Sequence, residues 1–249
     1  MKWLHMIPGI VELQLGQSSG QAQAVGGPSD AVMFRDYLAD LDRGDDAVGF
    51  TETHRRMHVL KRACDEQGYQ LHTDPSSDVA LAVRDEHKIV AAGLEPGNAA
   101  SPGHTARPVL WVTFEPKGTY ELVTVHEAHW LTRKRAQPGD RIELTQAMAE
   151  TVATHAHGRR LGFWMGDTNT LDTDSDRDPM AARGLVSCWD ELGRYPDTHP
   201  GGPDAPIDVV GKWDLDGRAR CVRAHTWHQL HTDHLSVSAW YRIRGVKAR

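Results

Sequence analysis

Asp167 and Asn169 stand in Gly166-Asp167-Thr168-Asn169-Thr170, directly after the apolar run at 161–165. In a strand that continues to Asn169, the acid and the amide project from one face. An acid there binds a hard cation, and an amide orients a water or an anionic oxygen. Glu52 follows the apolar run at 47–50. A carboxylate at a strand end suits Mg²⁺, an ion that takes one or two carboxylates and keeps its waters. Asp233 and His234 adjoin just before the last apolar run at 235–243, and histidine is the usual general base near neutral pH. Asp208 lies inside the apolar run at 207–210. A buried acid needs a partner, and holding an imidazole in one tautomer is one such use. His126 ends the strand pattern at 120–126, and His129, three residues on, is the alternative. Singly, each has a plainer reading: Gly-Asp-x-Asn also describes a turn, and Glu52 also suits the start of a helix.

The elements that must position these groups alternate along the chain. Residues 2–6 read as a first strand, and 15–29, rich in Gly, Gln and Ser, as a loop. Apolar spacing predicts a helix over 30–41, then a strand over 47–50 and a helix over 53–67 ended by Gly68. Strand patterns follow at 69–72, 79–83, 88–92, 108–114 and 120–126, with a loop at 94–107. An amphipathic helix over 141–157 precedes the strand at 161–165, and further strands are expected at 185–189, 207–210, 220–225 and 235–243. Many strands with interspersed helices predict packed sheets flanked by helices. No linker-like shift in composition divides the 249 residues, so 1–249 reads as one domain.

Composition narrows the class. A formal charge of −6 does not advertise a nucleic-acid-binding field, although a metal site holds phosphate locally in an acidic protein. Cys64, Cys188 and Cys221 are too few and too odd in number for a disulfide framework, which fits a reducing compartment. The N-terminal residues lack an apolar signal-peptide core, and no 18-residue apolar run spans a membrane, so the reading is cytoplasmic. Nothing requires an oligomer, and a monomer is expected.

Taken together and in this order, the motifs resemble the endonuclease/exonuclease/phosphatase superfamily. Its pattern is a Glu after an early strand, a His ending a middle strand, Gly-Asp-x-Asn, an Asp in a late strand, and Asp-His before the last strand. Here these are Glu52, His126, Asp167 with Asn169, Asp208, and Asp233 with His234. The resemblance covers residue 46 to the C-terminus. It implies a four-layer αββα sandwich and metal-dependent phosphoester hydrolysis. Glu52 would hold Mg²⁺ or Mn²⁺ with Asp233 assisting, His234 oriented by Asp208 would activate water, Asp167 and Asn169 would place water and phosphate, and His126 would contact the phosphate. The family's first strand usually ends in Asn. Read as residues 2–6, this chain's first strand has none, and His5 is the nearest stand-in. The leading substrate is DNA cut endonucleolytically, because nucleases are common in the superfamily. A small-molecule or lipid head-group phosphoester is the enzymatic alternative, and a catalytically inactive binding protein on the same fold is a third reading.

Other features are weaker. His225, His228, His231 and His234 recur every three residues, but a strand does not align such a set for zinc. Residues 171–178 look like a calcium loop without its glycine, and a solvated acidic rim is the simpler reading. Arg133, in the run Arg133-Lys134-Arg135, is a candidate phosphate contact. Trp130 is a candidate substrate contact, with Trp213 and Trp227 as further cleft-lining residues, whereas Trp3, Trp111, Trp164 and Trp240 read as core.

Overall fold

The computed structural model describes residues 10–18, 30–39, 44–53, 56–75, 77–98, 107–130, 140–156, 161–169, 177–199, 206–228 and 234–247. In chain order these form β1 (Ile10–Ser18), α1 (Asp30–Ala39), β2 (Ala47–Phe50), α2 (Met57–Gln67), β3 (Tyr69–Thr73), β4 (Ala80–Arg84), β5 (Lys88–Asn98), β6 (Arg107–Glu115) and β7 (Val123–His129). The second half adds α3 (Asp140–His155), β8 (Leu161–Asp167), α4 (Arg177–Ala182), β9 (Leu185–Ser187), α5 (Cys188–Leu192), β10 (Asp208–Asp214), β11 (Ala219–His228) and β12 (Leu235–Arg244). Two six-stranded sheets result, ordered β11-β12-β1-β2-β4-β3 and β5-β6-β7-β8-β10-β9. This is the expected sandwich of two mixed sheets.

Side-chain alternation builds the layers. Val11, Leu13 and Leu15 of β1 point between the sheets, while Glu12 is exposed. In β2, Ala47 faces the same interior, whereas Val48 and Phe50 face outward beneath α1 and α2. Covered on both faces, β2 reads as the continuous apolar run Ala-Val-Gly-Phe. On that outer face Met33, Phe34, Tyr37 and Leu38 of α1 and Leu60, Ala63 and Cys64 of α2 close a second, smaller core. Leu144, Met148 and Val152 of α3 cover the other sheet. Each fully buried Leu or Phe contributes about 1.5–3 kcal/mol through removal from water. All three cysteines are buried and unbridged, and burial pushes the thiols of Cys64 and Cys221 up to about 12.

Several boundaries differ from the expectations. Residues 15–18, expected in a loop, complete β1, which is paired on both sides: Gln17 lies opposite Val237 of β12 and Gly49 of β2. Full backbone pairing overrides the loop-like composition. Residues 2–6 lie outside the described residues. β5 runs through Pro96 and Gly97, which an edge strand tolerates at its register shift between Glu95 and Asn98. The run at 185–189 is split, because the Ser187 hydroxyl accepts from the Asp190 N–H and the Asp190 carboxylate accepts from the Ser187 N–H, a capping box that opens α5. β7 continues past His126 to His129, with consequences for the site.

Candidate active site

The C-terminal ends of β1, β2, β7 and β8 and the N-terminal ends of β4, β10 and β12 meet at one end of the sandwich. Asp167 pairs with Asp208 across β8 and β10, and with His129 across β7 and β8. Register therefore brings together residues far apart in sequence.

Asp208 is fully buried, and its Oδ2 lies 2.8 Å from Nδ1 of His234. Burial lifts the Asp208 carboxyl to about 6, against the pull of the His234 ring. The buried Thr198 fixes both partners: its hydroxyl accepts from the N–H groups of Ile207 and Asp208, at 2.9 and 3.0 Å, and its carbonyl accepts from Leu235 N–H at 2.7 Å. Asp167, Asp208 and His234 each offer one ligand-type atom, all within 4.8 Å of one another.

A second dyad stands across Asp167. Nδ1 of His129 lies 2.8 Å from Oδ2 of Asp78, and its Nε2 lies 3.7 Å from Oδ2 of Asp167. The Arg107 guanidinium donates to the same Asp78 oxygen. Burial opposes ionisation of Asp78, but His129 and Arg107 hold its carboxyl well below the usual carboxylate range. Burial also opposes a charge on His129, yet Asp78 and Asp167 more than offset it and raise its pKa. The two carboxylates thus favour the charged form of the ring, against the Arg107 guanidinium 2.9 Å from its Nδ1.

Backbone conformation marks two more residues. Among the described residues, Glu52 and Asn169 are the non-glycine residues with positive φ, 57° and 49°. Such conformations cost on the order of 1–3 kcal/mol and concentrate at functional positions. Thr51 N–H bonds to the Ser18 carbonyl, and Thr53 bonds to the Asp78 carbonyl through both N–H and hydroxyl. These bonds hold Glu52 on the rim occupied by Asp78. Asn169 is held by its N–H on Asp167 Oδ1 and by its Nδ2 on the Trp130 carbonyl, both at 2.8 Å.

No sequence-family model and no curated protein matches the chain. Solved structures do. The catalytic domain of human Nocturnin with bound sulfate superposes with a TM-score of 0.75 at 16% identity, over 93% of this chain and 96% of that one. An endonuclease/exonuclease/phosphatase protein from Bacteroides vulgatus gives 0.75 at 13% identity, over 94% and 100%. The mannosyl-6-phosphatase Bt3783 of Bacteroides thetaiotaomicron gives 0.69 at 17%, over 92% and 99%. The chain has the endonuclease/exonuclease/phosphatase fold.

Within this fold the sequence-derived set divides. Asp167, Asn169, Asp208 and His234 converge, and Glu52 stands on the adjoining rim. Asp233 and Arg133 lie outside the described residues. His126 does not join them. Its ring points to the α3 side of β7, where Nδ1–H donates to the Phe163 carbonyl at 2.8 Å. Total burial there lowers its pKa to about 3. The middle histidine at the site is His129, on the opposite face and three residues further along the same strand. Trp130 is corrected as well. Its indole is buried against Trp164 and donates to Thr145 Oγ1, so only its carbonyl reaches the site. Trp213 packs on the core beside Gly184, and Trp227 lies on the outer face of β11. Trp240 shares that outer face, stacked under Arg223, and is not core.

Asp78, Arg107, Thr198, Gln17 and Glu127 were not singled out by sequence reasoning. β1 ends in Gln17-Ser18, and the Gln17 amide is buried between the sheets. A second acid–imidazole group, Asp46, Glu86 and His87, is a structural clasp. His87 Nδ1 accepts from Lys117 N–H, its Nε2–H donates to Asp46, and Glu86 pairs with Lys117.

Proposed function

We propose that this protein is a divalent-metal-dependent phosphoester hydrolase. The observation that carries the reading is the pair of oppositely prepared imidazoles flanking Asp167. His234 is braced by Asp208 to accept a proton, and His129 is braced by Asp78 and Asp167 to hold one. In this mechanism His234 takes a proton from the attacking water through Nε2 as that oxygen bonds to phosphorus and the ester P–O bond breaks, the leaving oxygen taking a proton from solvent, while Asp208 fixes the tautomer and stabilises the resulting imidazolium. Asp167 and Asn169 place the water and a phosphate oxygen. His129 donates a charge-assisted hydrogen bond to another phosphate oxygen.

The carboxylates suit a hard cation: Glu52 has a strained backbone at the end of β2, and Asp167 and Asp208 offer further oxygens, the donor chemistry Mg²⁺ or Mn²⁺ selects. Glu52 with Asp233 would hold the ion, which supplies charge neutralisation at a phosphate oxygen.

As substrate we propose a nucleic-acid phosphodiester cut endonucleolytically. A solved structure of similar fold, Danio rerio TDP2 in complex with a single-strand DNA product, supports this class (TM-score 0.68, 14% identity, over 92% of this chain and 98% of that one). A small phosphoester is the second reading, favoured by the net charge of −6, which opposes a polyanion. The test is a panel of supercoiled plasmid, single-stranded DNA, RNA and small phosphomonoesters and diesters with Mg²⁺ or Mn²⁺. Plasmid nicking supports the nuclease. Turnover of small esters alone supports the second reading.

A further inference from the structure

Beneath the site, between the sheets, lie two polar side chains that the mechanism does not use. Glu127 of β7 and Gln17 of β1 are both fully buried. Both carboxyl oxygens of Glu127 and Oε1 of Gln17 have no hydrogen-bond partner, while Gln17 Nε2 donates to the Ser18 carbonyl at 3.3 Å. They share a notch made by Gly49. A Cβ there would fall 1.8 Å from Glu127 Oε2 and 2.7 Å from Gln17 Oε1. No other residue type leaves room for the pair.

An ionised Glu127 beside an amide oxygen is two acceptors with no donor, in a place water does not reach. Unmet buried acceptors are costly, and an unpaired buried charge costs more. One proton on the carboxyl removes the charge and gives Gln17 Oε1 a donor, leaving one neutral Glu127 carbonyl oxygen unpaired. We propose that Glu127 is a positioning residue whose carboxylic acid O–H donates to Gln17 Oε1, locking the amide that ends β1 at the site.

The surroundings agree. Burial drives the Glu127 pKa well above its usual value; Gln17 opposes this only in part, and Asp208, Asp167 and Asp78 reinforce it. Among the described residues, these three are the charged groups that act on Glu127, from β10, β8 and the turn before β4. With its Oε1 held and its Nε2 on Ser18, the Gln17 amide has one orientation at the strand end from which Thr51 and Glu52 are also hung.

The link to catalysis rests on the phosphoester reading, whereas the structural test does not. Infrared difference spectra of wild type against Glu127→Gln at neutral pH should show the carbonyl stretch of a protonated carboxylic acid, lost in the variant. In Glu127→Leu the Gln17 side-chain amide resonances, assigned by their loss in Gln17→Asn, should shift. Glu127→Gln, whose amide donates to the same oxygen, should restore them. On any substrate that is turned over, Glu127→Leu should lower kcat by about ten- to a hundredfold with KM little changed, and Glu127→Gln should recover most of it. An ionised Glu127 at neutral pH, or a Gln17 amide indifferent to Glu127→Leu, overturns the proposal. If Glu127→Leu does not fold, the infrared comparison decides alone.

Discussion

Three histidines within a short reach show how environment, not residue type, assigns a role. Burial without an acid lowers the pKa of His126, Asp78 and Asp167 raise that of His129, and His234 is paired with Asp208. Exchange of His129 for Gln should lower kcat by roughly 10²–10⁴-fold. His126→Gln should leave kcat near wild type and lower Tm, because only a structural bond to Phe163 is disturbed. The pH profile follows from the same contacts. Burial raises the Asp208 carboxyl within its dyad with His234, so the pair should take up a proton on the acid side and activity should fall there. His129 must stay protonated, and its pKa is raised by Asp78 and Asp167, so activity should fall on the alkaline side as His129 loses its proton. The stabilising contribution of His129 is likewise present at low pH and lost as pH rises through its folded-state pKa. Asp78→Asn leaves burial less opposed, lowers that pKa, and should move the alkaline limb to lower pH. A limb that stays in place contradicts the assignment of His129.

Strand ends carry the chemistry, and their visibility in the sequence depended on what surrounds them. β2, β8 and β12 are buried runs, and the polar residues at their ends drew attention to Glu52, Asp167 with Asn169, and His234. β1 was hidden because Gln, Gly and Ser dilute its apolar residues, and its pairing with β12 and β2 is non-local. The histidine that β7 brings to the cluster is the alternative His129, not the preferred His126, for a related reason. β7 continues to His129 because it pairs with β8 as far as Asp167, and no local signal marks that end. Asp78 sits in a serine-rich turn, 51 residues from its histidine partner, and only the sheet brings them together. The positive φ at Glu52 leads to a prediction about the β2 end. Glu52→Gly removes backbone strain on the order of 1–3 kcal/mol and adds about 0.5–1 kcal/mol of chain entropy cost. Calorimetry should therefore show Tm unchanged or higher while metal-dependent activity collapses. A large drop in Tm would show that Glu52 is a structural residue.

At the scale of the whole molecule, two sheets present a cluster of carboxylates at one end of a chain that already carries a charge of −6. A cation that binds only the folded state stabilises it by mass action, so Tm should rise with Mg²⁺ or Mn²⁺, by about 2.7 kcal/mol of unfolding free energy at a hundred times Kd. Glu52→Gln should blunt that rise. Salt dependence separates the two substrate readings, since binding to a nucleic acid falls steeply with ionic strength and binding to a small ester does not. The most direct test of the central claim is hydrolysis of bis-p-nitrophenyl phosphate by wild type and folded His234→Ala, each with Mg²⁺ or Mn²⁺ and again after EDTA. The account predicts turnover by wild type that EDTA abolishes and that the variant lacks. Equal turnover in the variant, turnover indifferent to EDTA, or a folded, metal-loaded wild type inert on this diester and on the whole substrate panel would contradict it.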